Sequence, residues 1–571
     1  MEKIKKLINQ FSKLNIDGYL IPKNDEFFGE YTSPEKDDLK YISNFSGSYG
    51  FALITKNKNY LFVDGRYTNQ AIKESGKNFN IITLMSDKFK YFNGNEKKIA
   101  FDSKLFNELT LKKLFGKFKF KFIPMKKNLL DILRKRTNRK IVRKFYSLEK
   151  SVTGEDYKKK INKVKKFLKN RKLDLIFITA PENVAWLLNI RGEDTAYSPI
   201  PNSYLLLDVK NNLFLFCDTK KIDKKLSKKL KDINIIDIIQ TEEFLKKIKN
   251  KKVVIDQLTC SIFFQNLIKK NNIIIEKKDP IYLLKSIKNK IEINNTKEIH
   301  LYDGAAITKF IFWLKKNYGS SKITEIDAQK KLLSFKKKFK KFKSLSFPTI
   351  SSCGSNGAIV HYNAKKNTNK RLKDGMLYLI DSGGQYYYGT TDATRTLALN
   401  VKNKKIKDIY TRVLKGHISV SEFKINNKTF GKTVDLAARK FLKKVKLDYQ
   451  HGTGHGVGYF LNVHEGPQSI SKYNQSKFYP GMILSNEPGY YKKGKFGIRI
   501  ESLVLVKQKT NHLSFEDLTL IPIDKSLIDK KMLNKKEIDW LNNYHKKVYS
   551  KLKNFMNSHQ LQDLKESCSN I

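Results

Sequence analysis

Apolar residues in the first half of the chain alternate between helical spacing and short strand-like runs. An amphipathic helix is predicted to lead into the apolar run of residues 17–22, and a lysine-rich helix leads into a second run within residues 164–181. The apolar positions of the first helix are Leu7, Ile8, Phe11 and Leu14. Helices that alternate with buried strands predict two α/β domains.

These two regions resemble each other beyond their first strands. Residues 41–47 lead to a strand pair that ends at Asp64, and residues 187–192 lead to a strand pair that ends at Asp218. The correspondence predicts a duplicated unit with insertions and excludes a short solenoid repeat.

After about residue 290 the pattern changes. A long helix is predicted from Glu298 to about Leu314, and a second helix opens at Thr324 with Asp327 completing a capping box. Residues 346–506 are rich in strands and punctuated by glycine. The end of the chain is helical again, with one apolar stripe formed by Leu541, Tyr544, Val548, Leu552 and Phe555.

Residues 335–342 interleave three phenylalanines with lysines. Such a pattern would suit base stacking on single-stranded nucleic acid. Because the phenylalanines step by four and three, a helix that buries one apolar stripe is the favoured interpretation.

The chain is strongly basic. Its 571 residues contain 113 Lys+Arg and 55 Asp+Glu, a formal net charge of +58, so nucleic-acid or anionic-membrane binding has to be considered. The lysines are not confined to one block, which favours a compositional bias along the whole chain. With 40% hydrophobic and 12% aromatic residues, disorder throughout is excluded.

The four cysteines are scattered, which is typical of a reducing compartment. No apolar run approaches the ~18 residues of a membrane span. We therefore expect a soluble cytoplasmic protein.

Candidate catalytic residues concentrate in the glycine-punctuated region. Asp381 follows an apolar strand, and a hairpin can return Asp392 beside it. Two close carboxylates repel each other, so the pair requires a cation or a shared proton. Glu487 follows another strand, and period-two alternation places Arg499 and Glu501 on one face.

Four carboxylates and an imidazole are a suitable ligand set for two divalent cations. We expect Mn²⁺, with Zn²⁺ or Co²⁺ as alternatives, and two such ions can share and activate a water molecule. The segment 451–458 contains four glycines between and after His451 and His455, which predicts a close backbone approach to a ligand.

The order Asp381, Asp392, His455, Glu487, Glu501 resembles the five-ligand pattern of the pita-bread metallopeptidases. The surrounding motifs resemble Xaa-Pro aminopeptidase (aminopeptidase P) in its long three-domain form. They span residues 451–458, 460–467, 486–491 and 497–501, and outside the site residues 64–67, 183–192 and 539–545. One departure is Asn486, where close relatives are expected to carry Asp, although this position is not a ligand.

The resemblance implies a role for each candidate. Asp381 would bind one metal bidentately, and Asp392 and Glu501 would bridge both. His455 and Glu487 would complete the other metal's shell, and Glu487 would act as general base toward a metal-bridged hydroxide.

The resemblance also assigns the substrate contacts. His361 and His464 match histidines that contact the scissile peptide and steady the tetrahedral intermediate. His451 matches a residue of the proline pocket, and Arg499 a residue that supports the carboxylates. The expected activity is hydrolysis of the N-terminal Xaa-Pro bond of peptides with proline at position two.

The implied fold class is α/β and α+β, with two related N-terminal α/β domains before a pita-bread catalytic domain. The predicted division is 1–150, 151–292, 293–510 and a helical extension, 511–571, that packs on the catalytic domain. A homodimer is expected, with no specific nucleic acid and no membrane as partner.

Two alternatives remain at this point. A non-catalytic pita-bread protein that binds nucleic acid would make use of the +58 charge, but all five ligand positions carry competent side chains. Prolidase is the nearest enzymatic alternative, although it commonly has one leading domain instead of two.

Overall fold

The chain divides into two compact units, Met1–Tyr282 and Leu283–Ile571. The structure is a computed structural model that describes residues 2–84, 86, 97–134, 142–210, 212–320 and 322–571. Across these ranges, every helix is too short or too polar to cross a membrane.

The first unit contains two six-stranded mixed sheets. The strands of the first sheet are β1 (Gly18–Pro22), β2 (Phe51–Thr55), β3 (Asn59–Val63), β4 (Asn80–Thr83), β5 (Lys97–Asp102) and β6 (Phe120–Met125). After β7 (Tyr146–Ser147), which pairs with β9 (Ile190–Arg191), come the strands of the second sheet. These are β8 (Leu175–Ile178), β10 (Ser203–Asp208), β11 (Leu213–Cys217), β12 (Asn234–Asp237), β13 (Lys252–Ile255) and β14 (Ile273–Glu276).

The two sheets share one topology. Their strand orders are β4-β3-β2-β1-β5-β6 and β12-β11-β10-β8-β13-β14. In each sheet the central strand pairs antiparallel with one neighbour and parallel with the other. The predicted duplication is therefore confirmed at the level of topology.

Helices connect these strands. They are α1 (Glu2–Ile8), α2 (Asp38–Ser43), α3 (Thr68–Ser75), α4 (Glu108–Phe115), α5 (Lys150–Thr153), α6 (Tyr157–Lys169), α7 (Pro181–Leu188), α8 (Lys224–Lys229), α9 (Thr241–Lys246), α10 (Ile262–Lys269) and α11 (Ile281–Ser286).

The first helix is shorter than its apolar spacing predicts. Helix α1 ends at Ile8, and turns continue to Asn15, whose φ of 49° redirects the chain into β1. Phe11 is still fully buried, but Leu14 is 40% exposed. The prediction that Leu14 extends the helical stripe is wrong because the chain turns before reaching it.

The second unit places small sheets around the catalytic candidates. Its strands are β15 (Phe342–Leu345), β16 (Ile350–Cys353), β17 (Met376–Asp381), β18 (Gly384–Tyr386), β19 (Gly389–Thr390), β20 (Thr394–Leu399), β21 (Gly454–Gly456), β22 (Glu465–Ile470), β23 (Ile483–Asn486), β24 (Gly489–Lys492), β25 (Phe496–Arg499), β26 (Ser502–Gln508) and β27 (Leu513–Asp517). The sheet orders are β16-β17-β20, β22-β21-β23-β26-β27, β15-β18-β19 and β24-β25.

Long helices pack on these sheets. They are α12 (Lys290–Asn317), α13 (Glu325–Lys336), α14 (Lys404–Ser421), α15 (Gly431–Lys443), α16 (Lys535–Leu552) and α17 (Ser558–Ser567). The capping box predicted at Thr324 and Asp327 is confirmed, since each residue's side chain accepts from the other's backbone N–H. One core cluster runs from Ala305 through Leu397 to Leu541 and Val548, so α16 packs its apolar stripe on this unit.

The helix predicted across residues 335–342 is wrong in extent. Helix α13 ends at Lys336, and Phe342 begins strand β15. Phe335 and Phe339 still pack against the core as partly buried side chains. Pairing of β15 with β18 takes the third phenylalanine out of the helical stripe.

Candidate active site

The ends of neighbouring strands carry the five candidate ligands. Asp381 is the last residue of β17, which pairs with β20, and Asp392 lies two positions before the start of β20. His455 is the central residue of β21, and Glu487 directly follows β23. Glu501 lies between β25 and β26.

Asp392, His455 and Glu501 meet most closely. One ligand atom from each lies within 4.8 Å of the others. His455 Nε2 is 3.4 Å from Asp392 Oδ2 and 3.6 Å from Glu487 Oε1. The fold thus brings Asp392 and Glu501 together although they are 109 residues apart in sequence.

Arg499 and Thr394 hold the acidic side chains in place. Arg499 Nη2 donates to Asp381 Oδ2 at 2.6 Å, and Arg499 Nε donates to Thr394 Oγ1 at 3.0 Å. The Thr394 hydroxyl then donates to Glu501 Oε2 at 2.6 Å. The alternation predicted for Arg499 and Glu501 is consistent with these contacts, because both residues reach Thr394.

The electrostatics of the cluster favour a positive counter-charge. Burial, together with Asp392 and Glu487, raises the pKa of Glu501 well above its ordinary value. Burial also raises the pKa of Asp381 to about 7, although Arg499 opposes that rise. Burial disfavours a charged His455, but Asp392 and Glu487 outweigh it and raise the pKa of this imidazole to about 9.

The donor set fits divalent cations. Asp381 Oδ1 is buried without a hydrogen-bond partner within the described part of the chain, so a strong acceptor is left for another ligand. Oxygen donors with one imidazole suit Mn²⁺, Zn²⁺ or Co²⁺. Asp381, Asp392, His455, Glu487 and Glu501 together provide the negative charge that such ions need.

The histidines outside the ligand set occupy different positions. The His464 ring lies 4.3 Å from the His455 ring, centroid to centroid. His451 Nε2 is 2.9 Å from the hydroxyl of Tyr491, which accepts from Arg499 Nη1 at 2.6 Å. His361 is half-buried after the 3₁₀ turn Gly354–Ala358, and its part in the site stays a prediction.

The glycines around His455 serve strand packing. A Cβ on Gly454 would lie 1.9 Å from Ser485 O, and one on Gly456 would lie 2.4 Å from Glu465 O. The close backbone approach predicted for these glycines is therefore to neighbouring strands, since β21 is the middle strand between β22 and β23.

Asn486 is fully buried behind Glu487. Its side-chain amide donates to His417 O at 2.9 Å, and its own carbonyl lies 3.1 Å from His417 Nδ1. The side-chain amide of Asn486 thus connects β23 to α14.

Three residues that contact the candidate site or the backbone of His451 were not predicted from the sequence. Thr394 lies two positions after Asp392, and a period-two pattern would have placed both on one face. Tyr491 lies within the motif of residues 486–491, but no role was predicted for it. Arg439, which donates to the carbonyl oxygen of His451, was not predicted either, although its spacing of four from Asp435 is a helix-pair signal.

Comparison with known proteins covers nearly the whole chain. Residues 294–508 match the metallopeptidase family M24, and residues 511–571 match the C-terminal region of peptidase M24. Residues 3–135 and 136–292 each match a creatinase/prolidase N-terminal domain. The predicted fold class, two related α/β domains before a pita-bread catalytic domain, is confirmed.

Individual relatives agree with these matches. Xaa-Pro aminopeptidase 1 of Dictyostelium discoideum is 36% identical over 96% of this chain and 93% of its own length. A probable Xaa-Pro aminopeptidase P of Laccaria bicolor is also 36% identical, over 100% and 93% respectively.

Solved structures extend the comparison. X-prolyl aminopeptidase from Caenorhabditis elegans, described as a cytosolic enzyme with a di-nuclear active site, matches with a TM-score of 0.93 and 30% identity. That match covers 100% of this chain and 99% of the other. Prolidase from Pyrococcus furiosus matches with a TM-score of 0.50 and 25% identity, over 62% of this chain and 98% of its own. The chain therefore belongs to metallopeptidase family M24 and is similar to Xaa-Pro aminopeptidases over 94% or more of its residues.

Proposed function

We propose that this protein is a metal-dependent aminopeptidase that hydrolyses the N-terminal Xaa-Pro bond of peptides with proline at position two. The observation that carries the proposal is similarity over 93% of Xaa-Pro aminopeptidase 1 and 99% of the solved X-prolyl aminopeptidase, together with matches for both leading domains. The carboxylate–imidazole cluster supplies the chemistry that such an activity needs.

Five side chains would hold two divalent cations, for which Mn²⁺ is expected. They are Asp381, Asp392, His455, Glu487 and Glu501, with Asp392 and Glu501 shared between the two ions. When bound, two such cations lower the pKa of a shared water molecule and polarise the substrate carbonyl.

The chain's own groups would handle protons and developing charge. Glu487 is 18% exposed at its side chain, so it can reach an attacking water and accept its proton. His361 and His464 would donate hydrogen bonds to the oxyanion, a contribution typically worth ~3 to 4 kcal/mol per donor. Arg499 would keep Asp381 oriented through its 2.6 Å hydrogen bond.

His451 has the properties of a contact surface for proline. Its Nδ1 lies 2.7 Å from Gly452 O, and its Nε2 is occupied by Tyr491. With both nitrogens engaged, the 7% of the side chain that stays exposed would offer ring carbons to the substrate instead of polar atoms. The pyrrolidine ring suits such a surface because the nitrogen of the scissile Xaa-Pro amide carries no hydrogen.

We further propose that the enzyme acts in the cytoplasm as a homodimer. No specific nucleic acid and no membrane is expected as a partner. The division into 1–150, 151–292, 293–510 and 511–571 belongs to the same proposal.

The test is cleavage of Arg-Pro-Pro and Arg-Ala-Ala, followed by mass spectrometry with Mn²⁺ supplied. We expect release of arginine from Arg-Pro-Pro only. Similar rates on both peptides would refute proline specificity, and cleavage of neither would refute the aminopeptidase proposal.

The same assay separates this activity from prolidase. A plain Xaa-Pro dipeptide cleaved well while Arg-Pro-Pro stays intact would favour a dipeptidase. The prolidase match covers only 62% of this chain, which favours the aminopeptidase.

A further inference from the structure

Helix α15 carries a buried ion pair below the loop that holds His451. Asp435 and Arg439 are one helical turn apart, with side chains 0% and 7% exposed, and Arg439 Nε donates to Asp435 Oδ2 at 2.8 Å. Burying a charged pair is unfavourable unless its remaining donors and acceptors are used.

The other donors of Arg439 are used by the loop. Nη2 donates to the carbonyl oxygen of His451 at 2.6 Å, and Nη1 donates to the carbonyl oxygen of Tyr449 at 2.7 Å. Nη1 also donates to Asp448 Oδ1 at 2.7 Å, and the guanidinium carbon lies 3.9 Å from the centroid of the Tyr449 ring. One planar group therefore fixes the backbone on both sides of residue 450.

The carboxylate of the pair reaches the far end of the same loop. Asp435 Oδ1 accepts from Thr453 Oγ1 at 2.6 Å, and the carbonyl of Thr453 accepts from the backbone N–H of Glu487 at 2.7 Å. The Tyr449 and His451 rings are 4.9 Å apart. The ion pair thus contacts the backbone carbonyl of His451 directly and is connected to the backbone of Glu487 through Thr453.

We propose that Arg439 is a positioning residue for substrate recognition, which orients His451 by fixing the backbone of residues 448–453. The inference rests on the proposed function, because it assigns the effect to the residue that would contact proline. Arg439 itself does not touch substrate.

Arginine is needed here because of its shape. Its fork supplies fixed donors in one plane and stacks on an aromatic ring, whereas lysine offers a point charge on a flexible stem. Arg439→Lys keeps the charge opposite Asp435 but cannot reach both carbonyls at once. The substitution therefore separates positioning from charge balance.

The experiment measures KM and kcat for Arg-Pro-Pro in the full chain. We expect R439K to raise KM about tenfold, as for loss of charge-assisted hydrogen bonds, with a smaller change in kcat. Metal content should stay at the wild-type value. The matched control is R412K on α14, where Arg412 pairs with Asp408 at the same spacing and bonds Phe441 O instead of the loop.

A double-mutant cycle with His451→Ala tests whether Arg439 changes KM through His451. If Arg439 acts through His451, R439K should raise KM no further in the H451A background. Additive effects, or an unchanged KM in folded R439K, would overturn the proposal. Thr453→Val removes the hydroxyl contact to Asp435 and should raise KM in the same direction, so it provides the test if R439K does not fold.

Hydrogen exchange supplies a readout that does not depend on activity. Amides of residues 448–453 should exchange faster in R439K than in wild type or R412K, and unchanged exchange would contradict the positioning role. If wild type itself fails to cleave Arg-Pro-Pro, the proposed function is refuted, and this exchange still decides whether Arg439 holds the loop.

Discussion

At the scale of single residues, the acidic cluster depends on a few buried donors. Thr394 accepts from Arg499 and donates to Glu501, and Arg499 also binds Asp381, so three elements of the site are connected. Asp392 is 5% exposed and lies beside His455. Removing a carboxylate from such a site changes the charge balance of the whole cluster.

Asp392→Ala is predicted to abolish tight binding of both cations. Because Asp392 would be shared, its loss leaves both positive charges under-neutralised. We expect metal content to fall well below two ions per chain and turnover to fall by more than about 100-fold. Elemental analysis after gel filtration measures the first quantity.

The control for this variant is Asp374→Ala, which removes an exposed aspartate shortly before β17. It should keep the wild-type metal content. Two ions and near-normal turnover in Asp392→Ala would contradict the shared-ligand assignment.

At the scale of elements, helix α16 is connected through Arg395 to the backbone of Glu501. Buried Arg395 donates to Glu501 O at 2.6 Å and to the Tyr544 hydroxyl at 2.8 Å. The Tyr544 hydroxyl donates to Ile521 O at 2.9 Å, and its ring stacks on Trp540 at 5.4 Å. Helix α16 is thus connected through Arg395 to the backbone of Glu501, a candidate ligand.

Tyr544→Phe should destabilise the unit that carries the site. The change removes one acceptor of a buried guanidinium, which typically costs about 1 to 3 kcal/mol. For a unit of this size the unfolding midpoint should fall by roughly 2 to 4 °C per kcal/mol. Thermal unfolding followed by circular dichroism measures the shift.

The comparison variant is Tyr549→Phe on the same helix, a half-buried tyrosine outside the Arg395 network. Its midpoint should stay within about 1 to 2 °C of wild type, the shift expected for a surface change of up to ~0.5 kcal/mol. Equal shifts of the unfolding midpoint in both variants would show that the hydroxyl of Tyr544 stabilises the unit no more than the hydroxyl of Tyr549 does.

At the scale of the whole molecule, the +58 net charge comes from lysines that recur along the whole chain. Helix α6 exposes Lys158, Lys163 and Lys166, while Lys160 is buried and donates to Trp186 O at 3.0 Å. Three lysines thus occupy solvent-exposed positions of this amphipathic helix. This distribution favours non-specific electrostatic attraction to polyanions over a specific nucleic-acid-binding site.

DNA binding is therefore predicted to be weak and steeply dependent on salt. Affinity should fall by on the order of 10³-fold or more between about 50 and 200 mM salt, if several phosphates are contacted. Fluorescence anisotropy with single-stranded and duplex oligonucleotides measures this, with peptidase activity followed in parallel. Tight, salt-resistant binding to one nucleic acid would instead revive the binding-protein alternative.

Local patterns in the sequence were sufficient to predict several structural features of this protein. The capping box at Thr324, the strand before Asp381 and the duplicated α/β units are all present as predicted. Such features depend on near neighbours or on the period of buried positions, which are visible along the chain. The order of the five candidate ligands was readable for the same reason, as a series of short motifs.

Tertiary structure alone decided which distant groups meet. Arg439 with His451, Arg395 with Tyr544, and Thr394 with Arg499 are pairings across separate elements, and no local period encodes them. Strand pairing also overrode the helical spacing of Phe342, because β15 gains backbone hydrogen bonds from β18. Long-range packing and the need to satisfy buried donors set these contacts, so they became visible only in the folded chain.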